Sequence, residues 1–192
     1  MKRFFALLLC LLMVFCVAAC DKDGGDKGDS GKDKNNTTSN VAVGFYVEYN
    51  SVKIELCSEA DEILDNLGTP KAEAPQGECG GLGEVVKYTY DSIEIKVLNN
   101  NITKKRIVDG IKILDDSIKT PENITIGSTK DEVIKKCGKN YANISDTQIS
   151  YVLNRNKLLG DISGEIQLII KLRNGCVSNI EYQVIYDKNQ SA

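Results

Sequence analysis

The 192-residue chain has no histidine and no tryptophan. Without histidine it lacks the side chain that most often serves as a general base near neutral pH, and the commonest metal ligand. Aromatic residues make up only 6% of the chain, which is lean for a surface built on aromatic anchors. No stretch clusters lysine and arginine in the way a phosphate backbone demands, and the formal charge is −3, so nucleic acid is excluded as a partner. Beyond residue 20 no two cysteines stand as a close Cys-x2-Cys pair, so a four-cysteine zinc site has no basis. Gly77, Gly80, Gly81 and Gly83 cluster around Cys79. With no strand before them and no helix after, they fit no phosphate loop and read as a flexible excursion. No cofactor and no metal is expected.

One apolar run stands out. Lys2 and Arg3 precede an uninterrupted apolar stretch from Phe4 to Val17, followed by Ala18-Ala19-Cys20. The stretch is too short for a comfortable membrane span of about 20 residues and has the charge, core and small-residue end of an export signal. It resembles the signal peptide of bacterial lipoproteins. That resemblance implies cleavage after residue 19, a diacylglyceryl thioether on Cys20, and a chain held by lipid on the extracytoplasmic face of the cell membrane. Residues 21–40 are all Asp, Lys, Gly, Ser, Thr or Asn. With nothing apolar to bury, such a segment cannot repay the entropy of ordering, and 20–42 reads as a polar tether. Loss of Lys2 and Arg3 takes the charge from −3 to −5.

Four cysteines then remain, Cys57, Cys79, Cys137 and Cys176. Outside the cytoplasm they allow three pairings, which spacing does not choose between, and the other reading is four small buried hydrophobes.

The folded part holds an internal repeat at an offset of 70 residues. Ser58 meets Ser128, Asp61 meets Asp131, Glu62 meets Glu132, Ile63 meets Val133, Leu64 meets Ile134 and Gly68 meets Gly138. Each copy reads as a short helix. Ser58 or Ser128 is the expected cap, with Thr129 and Glu132 an alternative frame in the second copy. Gly68 and Gly138 suit the helix ends.

Around these helices the apolar period is two. Strands are expected over Phe45 to Tyr49, Val52 to Leu56, Val86 to Tyr90, Ile93 to Val97, Ile111 to Ile113, Ser150 to Leu153, Glu165 to Leu172 and Val177 to Tyr186, with Asn174-Gly175 a hairpin. The expected class is α+β. It is a tandem repeat of a strand, a helix and three antiparallel strands, with the helices on one face, over residues 43–118 and 119–192.

Ile126-Gly127-Ser128-Thr129-Lys130-Asp131-Glu132-Val133, followed by Gly138, resembles a helix-start motif of two groups. These are the beta-lactamase inhibitor protein, a tandem of helix-plus-sheet repeats, and the small outer-membrane assembly lipoproteins. The segments Gly44 to Tyr49, Tyr88 to Tyr90 and Ile93 to Ile95 are similar to those of uncharacterised clostridial lipoproteins. The likeness implies a sheet face that clamps a protein partner. Of the strand tyrosines, Tyr88 and Tyr90 share a face with Val86 and belong in a core, whereas Tyr46 lies opposite Phe45 and Val47 and is the candidate partner-surface residue.

No catalytic set emerges. Asp61-Glu62 and Asp131-Glu132 are neighbours on a helix and do not face one another. The expected function is a membrane-anchored protein-binding or structural module of the cell envelope, not an enzyme. The rival is a hydrolase of an envelope polymer, which would need two acids across a cleft. Metabolic labelling with a fatty-acid analogue should mark the wild-type chain, and Cys20→Ala should abolish the label; equal labelling of both would rule out the anchor.

Overall fold

The computed structural model describes residues 43–159 and 162–187, with backbone only at 153–159 and 162. The leader 1–19, Cys20 and the tether 20–42 lie outside the described residues.

The described residues open with a hairpin, β1 (Tyr46–Tyr49) and β2 (Val52–Glu55), that forms its own two-stranded sheet. Then come α1 (Asp61–Leu67), β3 (Ala72–Glu78), β4 (Gly83–Thr89), β5 (Ile93–Asn100) and β6 (Arg106–Ile113). They are followed by α2 (Lys130–Cys137), β7 (Asn143–Ile144), β8 (Gln148–Leu159), β9 (Ile162–Arg173) and β10 (Cys176–Tyr186). Strands β3 to β10 build one eight-stranded antiparallel sheet in the order β3-β4-β5-β6-β10-β9-β8-β7. The fold is thus mainly antiparallel sheet with two short helices. It differs from expectation in its unit: each helix leads into four strands, and the strands before α1 stand apart in the hairpin.

Alternation decides which side is buried. Ile93, Ile95 and Val97 of β5, Ile111 and Ile113 of β6, Ile180 and Tyr182 of β10, and Ile166, Leu168 and Ile170 of β9 all point one way and are almost wholly buried. The hairpin covers them through Val47 and Ile54, and α2 through Val133 and Cys137. Phe45 meets Tyr182 edge to face, with ring centroids 6.3 Å apart. Helix α1 buries no residue fully and leans on this core through Ile63 and Leu64. A helix of seven residues has little stability of its own. Its position is set by the segment that leads into it.

That segment bonds to a strand edge, and the same happens at α2. Cys57 N–H donates to Val108 O (2.9 Å), Val108 N–H to Ser58 O (2.9 Å) and Ala60 N–H to Arg106 O (2.8 Å). Seventy residues on, Gly127 N–H donates to Val177 O (2.8 Å), Val177 N–H to Ser128 O (2.8 Å) and Lys130 N–H to Gly175 O (2.9 Å). Gly68 N–H and Gly138 N–H close the two helices on Leu64 O and Ile134 O, both at 3.0 Å. Tyr90 and Tyr151 donate their hydroxyls to Gly68 O and Gly138 O.

Neither helix is capped by its serine, and the second takes the alternative Thr129 and Glu132 frame. Helix α2 has a full capping box made by Thr129 and Glu132. Helix α1 begins after Ala60 with no side-chain cap, because Ser58 Oγ is turned back to Glu55 O at 2.7 Å. The glycine-rich stretch is not an excursion between helix and sheet but a hairpin within the sheet: Gly77 lies in β3, Gly83 opens β4, and Gly80 and Gly81 lie in the turn that joins them, closed by Cys79 N–H on Gly83 O at 2.8 Å. Residues 72–78 form edge strand β3, whose exposure on both faces leaves no apolar alternation to read.

Gly83 carries the tightest approach. Its φ is +142°, and a Cβ there would lie 1.9 Å from Asn99 O. Backbone cannot yield as a flexible side chain can, so Gly83→Ala should lower unfolding free energy by roughly 3 kcal/mol, read as a shifted urea midpoint with unchanged slope.

Candidate functional site

Among the described residues, the helices and the hairpin lie on one side of the sheet and no layer covers the other face. Its residues are those that alternate away from the core, and they are mostly polar and half-exposed. Lys87 of β4 pairs with Glu94 of β5 at 3.1 Å, and Lys112 of β6 approaches the second oxygen of Glu94 at 4.0 Å. Lys96 of β5 reaches Glu181 of β10 at 2.9 Å, passing over the intervening strand. It can do so because β6 has Gly110 there, where a Cβ would come within 3.2 Å of the Lys96 chain. The ladder continues through amides. Gln183 Nε2 donates to Gln167 Oε1 at 3.5 Å, and Gln167 Nε2 to Glu165 Oε2 at 3.1 Å. Ile169 and Val152 are half-buried within this surface, and Ile185 is 41% exposed.

One end of the face is apolar. Leu82, Val85 and Leu98 form a small buried cluster against which Cys79 and Tyr186 pack. Beside it lies Asp109, only 9% exposed. Its position follows from a bulge: Lys96 pairs with Gly110 and Val97 with Val108, which leaves Asp109 as the extra residue. Tyr186 donates its hydroxyl to Asp109 Oδ1 at 2.7 Å. Burial pushes the Asp109 carboxyl above its ordinary range, while the Tyr186 hydrogen bond and the Lys96 charge pull it back. The Tyr186 hydroxyl is raised by burial and then by the Asp109 charge, and the Cys79 thiol likewise. Sequence reasoning missed Asp109. Asp109-Gly110 between apolar residues reads as a turn, and only the bulge shows why it sits inside a strand.

The four cysteines are thiols in this structure. Cys137 is buried on the core side of α2, and burial raises its thiol to about 12. Cys176 bridges to Thr129 at the opposite end of the same helix. Eight helical residues span about 12 Å, beyond the roughly 7 Å between Cα atoms that a disulfide tolerates, so Cys137 and Cys176 do not face each other. Cys57 and Cys79 are both near enough to Tyr186 to raise its hydroxyl.

Tyr46 is not on the open face. It lies on the outer side of the covering hairpin, half-buried, with Lys53 Nζ 4.4 Å from its ring centroid. Tyr88, Tyr90, Tyr151 and Tyr182 are core residues. An acidic groove lined by Glu55, Glu59 and Glu62 runs between β2 and α1, on the covered side rather than between the two halves of the sheet. Its Glu55 and Glu59 are already ion-paired, with Lys53 and Lys105. Among the described residues no His, Cys, Asp and Glu side chains gather to hold a metal ion, and no helix is long and apolar enough to cross a membrane.

The raised Asp109 carboxyl has a consequence for stability. A folded-state value above the unfolded one means that the protonated form is favoured by folding. Its contribution is therefore full at low pH and is lost as pH rises through the folded value. Asp109→Asn keeps an acceptor for Tyr186 and removes the charge. Thermal unfolding should find it at least as stable as wild type at pH 7, with the advantage fading as pH falls toward 4.

No protein family, no curated protein and no solved structure matches this chain. The likeness of residues 126–138 to the two groups named above therefore stands on those residues alone.

Proposed function

We propose that this chain is a lipid-anchored module of the bacterial cell envelope that binds another protein through the open face of its sheet and carries out no catalysis. The observation that carries the reading is that face itself. Among the described residues it spans β4, β5, β6, β10 and β9 without a covering layer, is patterned with mutually paired charges and amides, and includes the exposed Ile185. A broad surface of this kind suits a protein partner, whereas hydrolysis of a polymer needs a cleft with two acids across it. The lipid on Cys20 rests on the sequence of the leader.

We also read the domain as a duplicated helix-plus-sheet unit, the two copies meeting at β6 and β10. The six matched hydrogen bonds at the helix starts, the matched closures at Gly68 and Gly138, and the mirrored order of four strands on either side support this. It is the architecture that the resemblance to the beta-lactamase inhibitor protein implies.

Affinity capture from the native envelope with residues 41–192 as bait tests the reading. A saturable protein partner should be retained by the wild type, and its binding should fall at least tenfold in Ile185→Glu and in Gln167→Lys, with thermal midpoints unchanged. Absence of such a partner, together with turnover of an envelope glycan by the purified domain, would overturn it in favour of the hydrolase.

A further inference from the structure

The two edges of the large sheet are not alike. Edge strand β3 carries Pro75, a register shift between Pro75 and Gly77, and the exposed charges Glu73 and Glu78. These are the devices that prevent an edge from recruiting another strand. The opposite edge is formed by β7, but β7 is only two residues long and pairs with Ile149 and Ser150 alone. Strand β8 runs on beyond it, in regular pairing with β9 as far as Arg155 opposite Gly164.

The direction of the main-chain groups follows from the bonds that exist. Ala142 N–H donates to Ser150 O and Ser145 N–H to Gln148 O, both at 2.8 Å, so even-numbered residues of β8 aim outward. Leu172 N–H donates to Thr147 O at 2.7 Å, so odd-numbered residues aim toward β9. By the period of two, the N–H and C=O of Val152 point outward. Among the described residues no strand pairs with them.

A depression of about 660 Å³ lies beside this edge on the open face, lined among others by Asn143, Ser150, Val152, Glu165 and Gln167. Among the described residues Glu165 has no cationic partner; its Oε2 accepts only from Gln167. Ala142 is still bonded to this edge as the chain enters β7, so a strand added antiparallel to β8 would run from opposite Arg155 to opposite Val152 and end there, with the side chain of its last residue over this depression, because paired residues share a face.

We propose that the outer edge of β8, from Val152 to Arg155, takes an extended polypeptide segment of the partner as an added strand, with a lysine or arginine side chain seated over Glu165. This rests on the reading of the domain as a protein-binding module and names its mode of binding. Main-chain bonds supply affinity without regard to sequence, and the charge-assisted contact with Glu165 selects the side chain.

The test uses the purified full chain and a seven-residue peptide of alternating threonine and valine, fluorescent at its N-terminus and ending in a lysine amide. Two analogues accompany it, one ending in a glutamate amide and one N-methylated at its last four amides. Anisotropy should show saturable binding of the lysine peptide, at least tenfold weaker binding of the glutamate peptide, and none of the N-methylated one. Val152→Pro removes an outward N–H that the sheet does not use, so it should fold and lose binding. Glu165→Gln should lose the preference for lysine over glutamate and keep the sensitivity to N-methylation. The proposal is overturned if no saturable binding occurs, or if binding ignores either N-methylation or Val152→Pro. Should Val152→Pro fail to fold, the N-methylated peptide makes the same test on the wild type. If the peptide fails while the open-face variants still lose a captured envelope protein, edge addition alone is refuted; if both fail, the binding-module reading falls with it.

Discussion

Four residue pairs, from Ile113 with Ile180 to Gly110 with Gln183, join the two halves of this protein into one sheet. Much of the fold depends on where that pairing stops. It stops at the Asp109 bulge, where β6 turns its edge away from β10. The backbone groups of Arg106 and Val108 would then lack partners, a cost comparable to lost hydrogen bonds. Residues 57–60 supply those partners and so fix the start of α1. The bulge also brings Asp109 within reach of the Tyr186 hydroxyl, which ties the far end of β10 to the same point. One inserted residue thus sets the end of the central pairing, the placement of a helix and the burial of a carboxyl group.

The two faces of the sheet carry different burdens. Isoleucine, leucine and valine on the covered side are buried almost completely, and each such side chain contributes roughly 1.5–3 kcal/mol before the entropy of ordering is set against it. On the open side, partly exposed pairs such as Lys96 with Glu181 contribute about 1 kcal/mol or less. Most of the stability therefore resides on the covered face, with a smaller share in the Leu82, Val85 and Leu98 cluster at one end of the other. Gly110 belongs to both burdens. It sits in the central strand, yet its missing side chain is what lets Lys96 cross β6 on the open face.

Much of this was legible in the sequence, and the failures have physical causes. Strands β4, β5, β9 and β10 have one buried face, so period two located them. The helix ends at Gly68 and Gly138 were readable because a positive φ favours glycine. Strand β3 escaped because an edge strand exposed on both faces has no hydrophobic period. The first half of β6 escaped because Asp109-Gly110 imitates a turn. Tyr46 does face away from Phe45 and Val47, as alternation indicates; which surface of the molecule it joins, the hairpin's outer side, follows only from the tertiary fold. The open face could not have been assigned from sequence, since it depends on the pairing of β6 with β10, strands separated by more than sixty residues of chain.

The charges on the open face also bear on how a partner would arrive. Lys87 with Glu94 and Lys96 with Glu181 neutralise one another, so the β4–β10 part of the surface presents little net field beyond a Debye length of about 10 Å. Steering of a distant charged partner is therefore weak, and association on the proposed reading proceeds at the ordinary pace of unsteered encounter, about 10⁵–10⁶ per molar per second. Discrimination then has to come after contact, in how long the complex lasts. An added strand suits that requirement. Its main-chain bonds form only when the segment is extended and in register, and a register slip of one residue moves every side chain to the wrong face. Glu165, lying next to the edge where such a strand would seat, would then test a single side chain, with dissociation as the penalty for a mismatch.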